Sequence, residues 1–126
     1  MMSYLVVFVG AGIGGSIRHG MNIWVARLLG THFPYHTLVI NILGSLVMGL
    51  ITGWFAERLG AAGHTRLFLA TGVLGGFTTF SAFSLDAVLL WERSEHLMAA
   101  LYVGGSVAGA IVGLAFGLWI MRMILA

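Results

Sequence analysis

Long uncharged stretches alternate with short polar ones: residues 1–17, 28–56, 67–85 and 96–121 contain no Asp, Glu, Arg or Lys. A membrane-spanning helix needs about 20 mainly apolar residues, each rising about 1.5 Å. The pattern predicts four helices, near 3–29, 36–56, 67–91 and 97–122, with connectors around Gly30–Tyr35, Glu57–Arg66 and Glu92–His96. Four spans consume about 80 to 95 residues, so a chain of 126 residues is expected to be one transmembrane domain with no extramembrane part. Pro34 falls in the first connector, where its missing N–H costs least. Trp54, Trp91 and Tyr35 fall at predicted helix ends, the headgroup level that amphipathic rings favour. Met1–Gly20 has no positively charged leading region, so a retained helix is expected there rather than a signal peptide.

Composition turns this pattern into a class. Sixty per cent of the residues are hydrophobic and 8% charged, with a mean hydropathy of +1.02. A soluble domain carries about 25% charge, so disorder and an ordinary water-soluble enzyme are both excluded. Without Cys there is no disulfide framework and no thiolate chemistry. The net charge of +2 comes from six Arg, no Lys and four acids. The Arg residues are scattered, so nucleic acid is not an expected partner. Arg58, Arg66 and Arg122 fall on one predicted side, Arg27 and Arg93 on the other, and Arg18 lies deep in the first helix. The positive-inside rule then gives almost no orientation. Two readings stay open: a weak signal in a small protein, or a chain that inserts both ways and pairs with an inverted copy.

Many of the 19 glycines read as packing positions. Gly105, Gly109, Gly113 and Gly117 recur every fourth residue and predict a smooth face on the last helix, as Gly49 and Gly53, with Ser45, do on the second. Small residues at that spacing let helix backbones approach closely in lipid. Gly10-Ala11-Gly12-Ile13-Gly14-Gly15 satisfies a dinucleotide fingerprint, but such a site wants an acid about 20 residues on. The first acid is Glu57 and no αβ alternation follows, so these glycines are expected to pack the first helix.

Polar groups inside lipid are costly and therefore candidates for function. Thr37, Asn41 and Ser45 stand at i, i+4 and i+8 and form one stripe; the Asn41 amide can donate two hydrogen bonds, and can equally clamp two helices. In the third span, Gly75-Gly76-Phe77-Thr78-Thr79 lowers helix propensity. A break near Gly75–Thr79 would free carbonyls, which lipid tolerates only where protein or an ion meets them; an unbroken helix with a packing notch stays open. Phe80 and Phe83 share a face, with hydroxyls at Thr79, Ser81 and Ser84 around them. Ring edges are positive and can face an anion, though aromatics at this spacing also serve as core packing. Asp86 continues that face and marks its aqueous end, and Tyr102 and Ser106 are i, i+4 in the last helix. Arg18 reads as structural, either snorkelling to an interface or anchoring a carboxylate. His32 and His36 flank Pro34 with no third ligand nearby, so no metal site is expected from them. No Ser/His/Asp set converges, and no enzyme is expected.

Three motifs together resemble the CrcB/Fluc fluoride channels: Gly14-Gly15-Ser16-Ile17-Arg18, Thr37-Leu38-Val39-Ile40-Asn41-Ile42-Leu43-Gly44-Ser45 and Gly75-Gly76-Phe77-Thr78-Thr79-Phe80-Ser81-Ala82-Phe83. The resemblance covers the whole chain, including its length, four spans and motif order. It implies an all-α membrane protein of four transmembrane helices with the third broken, paired as an antiparallel (inverted) homodimer with two fluoride pathways. Such a protein resides in the cell inner (plasma) membrane, and passive fluoride export from the cytoplasm confers fluoride resistance. By carry-over, Phe80 and Phe83 present ring edges to fluoride and Asn41 donates to it. Thr37, Ser84 and Ser106 contribute to a polar track, with Tyr102 beside it. Backbone carbonyls of Gly75 and Thr78 from both copies hold a structural Na+ at the dimer interface, Arg18 is structural or lines a vestibule, and Asp86 stands at the mouth. Two departures from the family pattern stand out: Ala82 replaces a hydroxyl residue in the Phe-Ser-Thr-Phe motif, and Asp86 replaces a more usual Glu.

The residues suit that chemistry. An isolated charge in a low-dielectric medium costs tens of kcal/mol, so a strongly hydrated fluoride needs donors that replace its water. Amides, hydroxyls and ring edges do so without a fixed cation, which would trap the ion where conduction needs weak serial sites. A small multidrug exporter, also four helices and often of dual topology, would need a carboxylate in the first helix; this chain has Arg18 and no acid there. A packing subunit without transport would explain the glycines but not the polar stripe beside the Gly-Gly-Phe-Thr-Thr segment.

Overall fold

Leu, Val, Ile and Ala runs uninterrupted by proline make four long helices: α1 (Met2–Leu29), α2 (Tyr35–Glu57), α3 (His64–Glu92) and α4 (His96–Leu125). The structure, a computed structural model, describes residues 1–58 and 63–126; the middle of the expected Glu57–Arg66 connector, 59–62, lies outside the described residues. Predicted and observed helix ends agree within about one turn, the start of α3 at His64 and the end of α4 at Leu125 each lying three residues beyond the expected limits. Helices α2, α3 and α4 are long and apolar enough to cross a membrane. Helix α1 has the length, 28 residues, but is interrupted by Arg18, His19 and Arg27. It ends at Gly30, where a φ of 79° reverses the chain at little cost to a residue without Cβ. Trp54 and Trp91 lie near the ends of α2 and α3, Trp54 beneath the Arg58 guanidinium at 5.4 Å and Trp91 stacked on His96.

The helices pack as two close pairs, each fitted through glycine. Between α2 and α4, the most extensive contact in the chain, Gly49 lies against the Leu114 carbonyl and Gly117 against Leu46, while Gly109 receives Ile42. Between α1 and the first half of α3, Gly10 and Gly14 lie against the backbone of Phe68, Gly72 and Val73, and Gly76 against Ala11. Backbones this close leave no volume for a side chain, and dispersion then holds helices that no hydrophobic force draws together in lipid. Gly105, the first of the glycine row in α4, differs from the others: among the described residues nothing lies within 4 Å of an added Cβ, so any close packing there is not within the subunit.

Helix α3 changes partner at its middle. Its first half runs as a short α turn, His64–Arg66, a wide π-type stretch, Leu67–Leu74, and a further turn, Gly75–Phe77, the last two packed on α1. Its second half, Phe80–Glu92, packs on α4. Thr78 and Thr79 between them are extended, with φ/ψ of −80°/158° and −151°/116°. The glycines themselves stay helical; the two β-branched threonines, which favour extended backbone, carry the break. Leu90, Ala99 and Tyr102 form a small buried cluster at the far end of that second half, under Phe33, Leu38, Phe83 and Ala87.

Candidate functional site

Asn41, in the second turn of α2, is bonded to the break in α3. Its Oδ1 accepts from the Thr79 N–H at 2.8 Å and its Nδ2 donates to the Thr79 carbonyl at 3.0 Å. The backbone N–H can meet only an acceptor, so the orientation of the amide is fixed. Of the two Nδ2 protons one is used, and the second is left for another acceptor. Thr79 also caps the second half of α3, its Oγ1 accepting from the Ala82 N–H at 3.2 Å. On the other side of the break the Thr78 N–H and Oγ1–H both donate to the Leu74 carbonyl at 3.0 Å.

These bonds decide which carbonyls are left over. In an unbroken helix the Thr79 and Ala82 N–H groups would donate to the carbonyls of Gly75 and Thr78, four residues earlier. Here Asn41 Oδ1 and Thr79 Oγ1 take those two donors instead. Two oxygens suited to a cation are thereby released, at Gly75, which is exposed, and at Thr78, which lines a cavity.

That cavity, about 410 Å³, lies between α2, the second half of α3 and α4. Asn41, Ser45, Thr78, Thr79 and Ser106 supply its polar groups; Gly44, Met48, Phe80, Phe83, Val107, Ala110, Ile111 and Leu114 supply the rest. Ser106 is only 5% exposed and its Oγ is buried with no hydrogen-bond partner. A buried hydroxyl without a partner costs about 1–3 kcal/mol, so it marks a place where something polar is to be received. No Arg, Lys, Asp or Glu lines the cavity.

An aromatic series leads from it. Phe80, 78% exposed on the open flank, is tilted against Phe83 at 5.5 Å between ring centroids. Phe83 lies 5.3 Å from Tyr102, which meets Phe33 edge-on at 5.6 Å. The hydroxyl of Tyr102, itself part of the buried cluster, donates to Asp86 Oδ2 at 3.1 Å.

Of the residues singled out by sequence, Asn41, Phe80, Phe83, Ser106 and Thr78 border one cavity. Tyr102 and Thr37 are buried and do not line it. Ser84 turns its hydroxyl back to the Phe80 carbonyl at 3.0 Å. Asp86 is the acceptor of Tyr102 rather than a free carboxylate. Arg18 is partly exposed on α1 and makes no ion pair among the described residues. Thr79, expected as a hydroxyl beside Phe80 and within the break, is also the residue that Asn41 holds. One contributor was not expected. Phe33 closes the aromatic series from a connector whose sequence carries no sign of it.

A family model described as CrcB-like protein, Camphor Resistance, matches residues 5–118. Curated relatives include a fluoride-specific ion channel FluC of Rhodopseudomonas palustris, 61% identical over 123 residues, which cover 98% of this chain and 99% of the relative. The fluoride-specific ion channel FluC 2 of Nitrobacter hamburgensis is 59% identical over 121 residues, 96% of this chain and 98% of the relative. A third, FluC of Methylobacterium nodulans, is 60% identical over 122 residues, 97% and 98% of the two chains.

Proposed function

The chain belongs to the CrcB-like family, with fluoride-specific ion channels as full-length relatives, and we propose that it conducts fluoride passively through the membrane along the cavity of Asn41, Phe80, Phe83 and Ser106. The observation that carries this reading is the buried, unpartnered hydroxyl of Ser106, a residue that lines the same cavity as Asn41, whose amide has one unused proton. Both are neutral donors. A small anion shedding its water needs donors, and one that must leave again needs them uncharged.

The sequence of contacts follows from the residues. Fluoride meets the edges of Phe80 and Phe83, where ring hydrogens carry partial positive charge. It accepts the second Nδ2 proton of Asn41 while the first stays on the Thr79 carbonyl, so the amide does not turn with each passing ion. Ser106 donates next, and Thr37, with Ser84 less directly, continues the polar track, with Tyr102 beside it and Asp86 at the mouth. The ion passes out of the cytoplasm down its own gradient, which lowers internal fluoride; the chain is a channel, not an enzyme.

A second, oppositely oriented copy completes the assembly in this reading, giving two pathways per homodimer in the inner (plasma) membrane. Its support is the open flank at Phe80, the exposed Gly75 and the even spread of Arg across the two sides. The Gly75 and Thr78 carbonyls, deprived of their helical donors, suit a hard cation such as Na+. Bound there, Na+ would hold those carbonyls from both copies at the interface; Asn41 and Thr79 keep them available.

Liposomes loaded with fluoride and containing the purified chain alone test the reading. Fluoride is expected to leave much faster than chloride under the same gradient. Equal release of the two, or no release, ends it. Phe80→Ile, which keeps bulk and loses the polarised edge, is expected to slow fluoride efflux by about tenfold or more, the equivalent of at least 1.4 kcal/mol, with the elution volume of the protein unchanged. Undiminished efflux would remove the ring edge from the path.

A further inference from the structure

We infer that the connector between α1 and α2, residues 30–34, is a lid over the Tyr102 end of the fluoride path, held shut by Phe33 and by a latch to the connector between α3 and α4. The inference rests on the path proposed above. Tyr102 has no exposed surface and Thr37 is 2% exposed, so an ion arriving there finds no water until something moves. What lies on top is Phe33, whose ring stands edge-on to Tyr102 at 5.6 Å and packs on the Leu90–Ala99–Tyr102 cluster.

The connector is built to move as a unit. Gly30, with its φ of 79°, joins it to α1, and Pro34, buried at the start of α2, is its fixed end. Between them Thr31 and His32 are exposed, and only Phe33 reaches inward. The latch comes from the facing connector: Arg93 Nη2 donates to the His32 carbonyl at 3.0 Å, and Glu95 Oε1 lies 3.7 Å from His32 Nε2. Glu95 also lies 3.6 Å from Arg93, which orients the guanidinium. Contacts of 3.6–3.7 Å to partners as exposed as His32 and Arg93 are weak, the one to His32 being an ion pair only when the imidazole is protonated, and one aromatic edge contact is modest. A closure of such parts opens often, as a conducting path requires, and local opening of a short, sparsely packed segment is the least costly motion the fold offers.

The absence of Cys permits a direct test on the full chain in liposomes. Ala99→Cys places one thiol in the cluster under Phe33, and its rate of modification by a water-soluble thiol reagent reads the open fraction. Ala87→Cys, packed against the same cluster, serves if the first variant does not elute as wild type. Adding Arg93→Gln, which weakens the bond to His32 and abolishes the pairing with Glu95, is expected to speed modification about fivefold, with fluoride efflux rising in the same vesicles. Phe33→Ala is expected to do the same without touching the latch. Unchanged modification in both variants overturns the lid. Faster modification with unchanged or slower efflux overturns it too, since the connector would then move without gating. A chain that releases fluoride and chloride alike before any substitution fails the channel reading instead, and the modification rates still report the lid by themselves.

Discussion

Asn41→Ala is expected to lower fluoride efflux by at least about a hundredfold, the largest functional effect of any single substitution in the proposed path. Two losses coincide. The variant removes the amide proton that is free to meet an anion, and it removes both partners of Thr79. A buried backbone group stripped of its partner costs about 1–3 kcal/mol, and Thr79 loses two partners at part-buried positions. About 2.7 kcal/mol on the rate-limiting step is already a hundredfold. Asn41→Asp separates the two roles. Its carboxylate still accepts from the Thr79 N–H, so the break is held on that side, but it can neither donate to fluoride nor tolerate it. Asp is therefore expected to abolish efflux while eluting closer to wild type than Ala does. Fluoride efflux from liposomes and the elution profile, measured on both variants, check this; wild-type conduction by the Asp variant would show that the amide is not a donor to the ion.

That double use of one residue explains what was legible in the sequence. The stripe of Thr37, Asn41 and Ser45 follows from helical spacing alone, and so does the pairing of Phe80 with Phe83. Two readings of Asn41, clamp and donor, could not be separated by residue type. They are not alternatives in the fold: the clamp consumes Oδ1 and one proton, and geometry leaves the other. The break itself was readable from Gly75–Thr79, but not its position, because glycine lowers helix propensity without forbidding a helix. The extended residues turned out to be the threonines, each with its own side-chain bond to hold it. Phe33 was invisible because nothing in a local sequence pattern reports which tertiary surface a connector residue will cover.

Charge carries a similar lesson. The few ionised groups fall at helix ends and connectors, apart from Arg18 within α1 and Asp86 within α3, and Asp86 is occupied by Tyr102. In the proposed reading the carbonyls of Gly75 and Thr78 would offer negative potential to a cation, while the amide, hydroxyls and ring hydrogens of the cavity, which no Arg, Lys, Asp or Glu lines, would meet an anion.

The second large effect concerns stability and divides four glycines that look alike in sequence. Gly117→Ala is expected to prevent α2 and α4 from closing, because the new Cβ would collide with the Leu46 carbonyl and come within 2.8 Å of the Leu50 nitrogen. Backbone is on the receiving side, so no rotamer change relieves the clash, and the cost of overpacking is about 1–3 kcal/mol or more. Against a total stability of about 5–15 kcal/mol, folded yield in detergent should fall severely, with early loss on heating. Gly105→Ala, three turns earlier in the same row, meets nothing within the chain, and the gain in helix propensity of about 1 kcal/mol should leave the subunit as stable or more so. Thermal loss of monodisperse protein, followed for both variants, reads the difference. Equal damage at the two positions would mean that Gly105 also lies against a backbone, and because none is available within the subunit, that backbone would belong to the second copy. A drop in dimer content confined to Gly105→Ala would then place the pairing surface on the first half of α4, the stretch that also carries Tyr102 and Ser106.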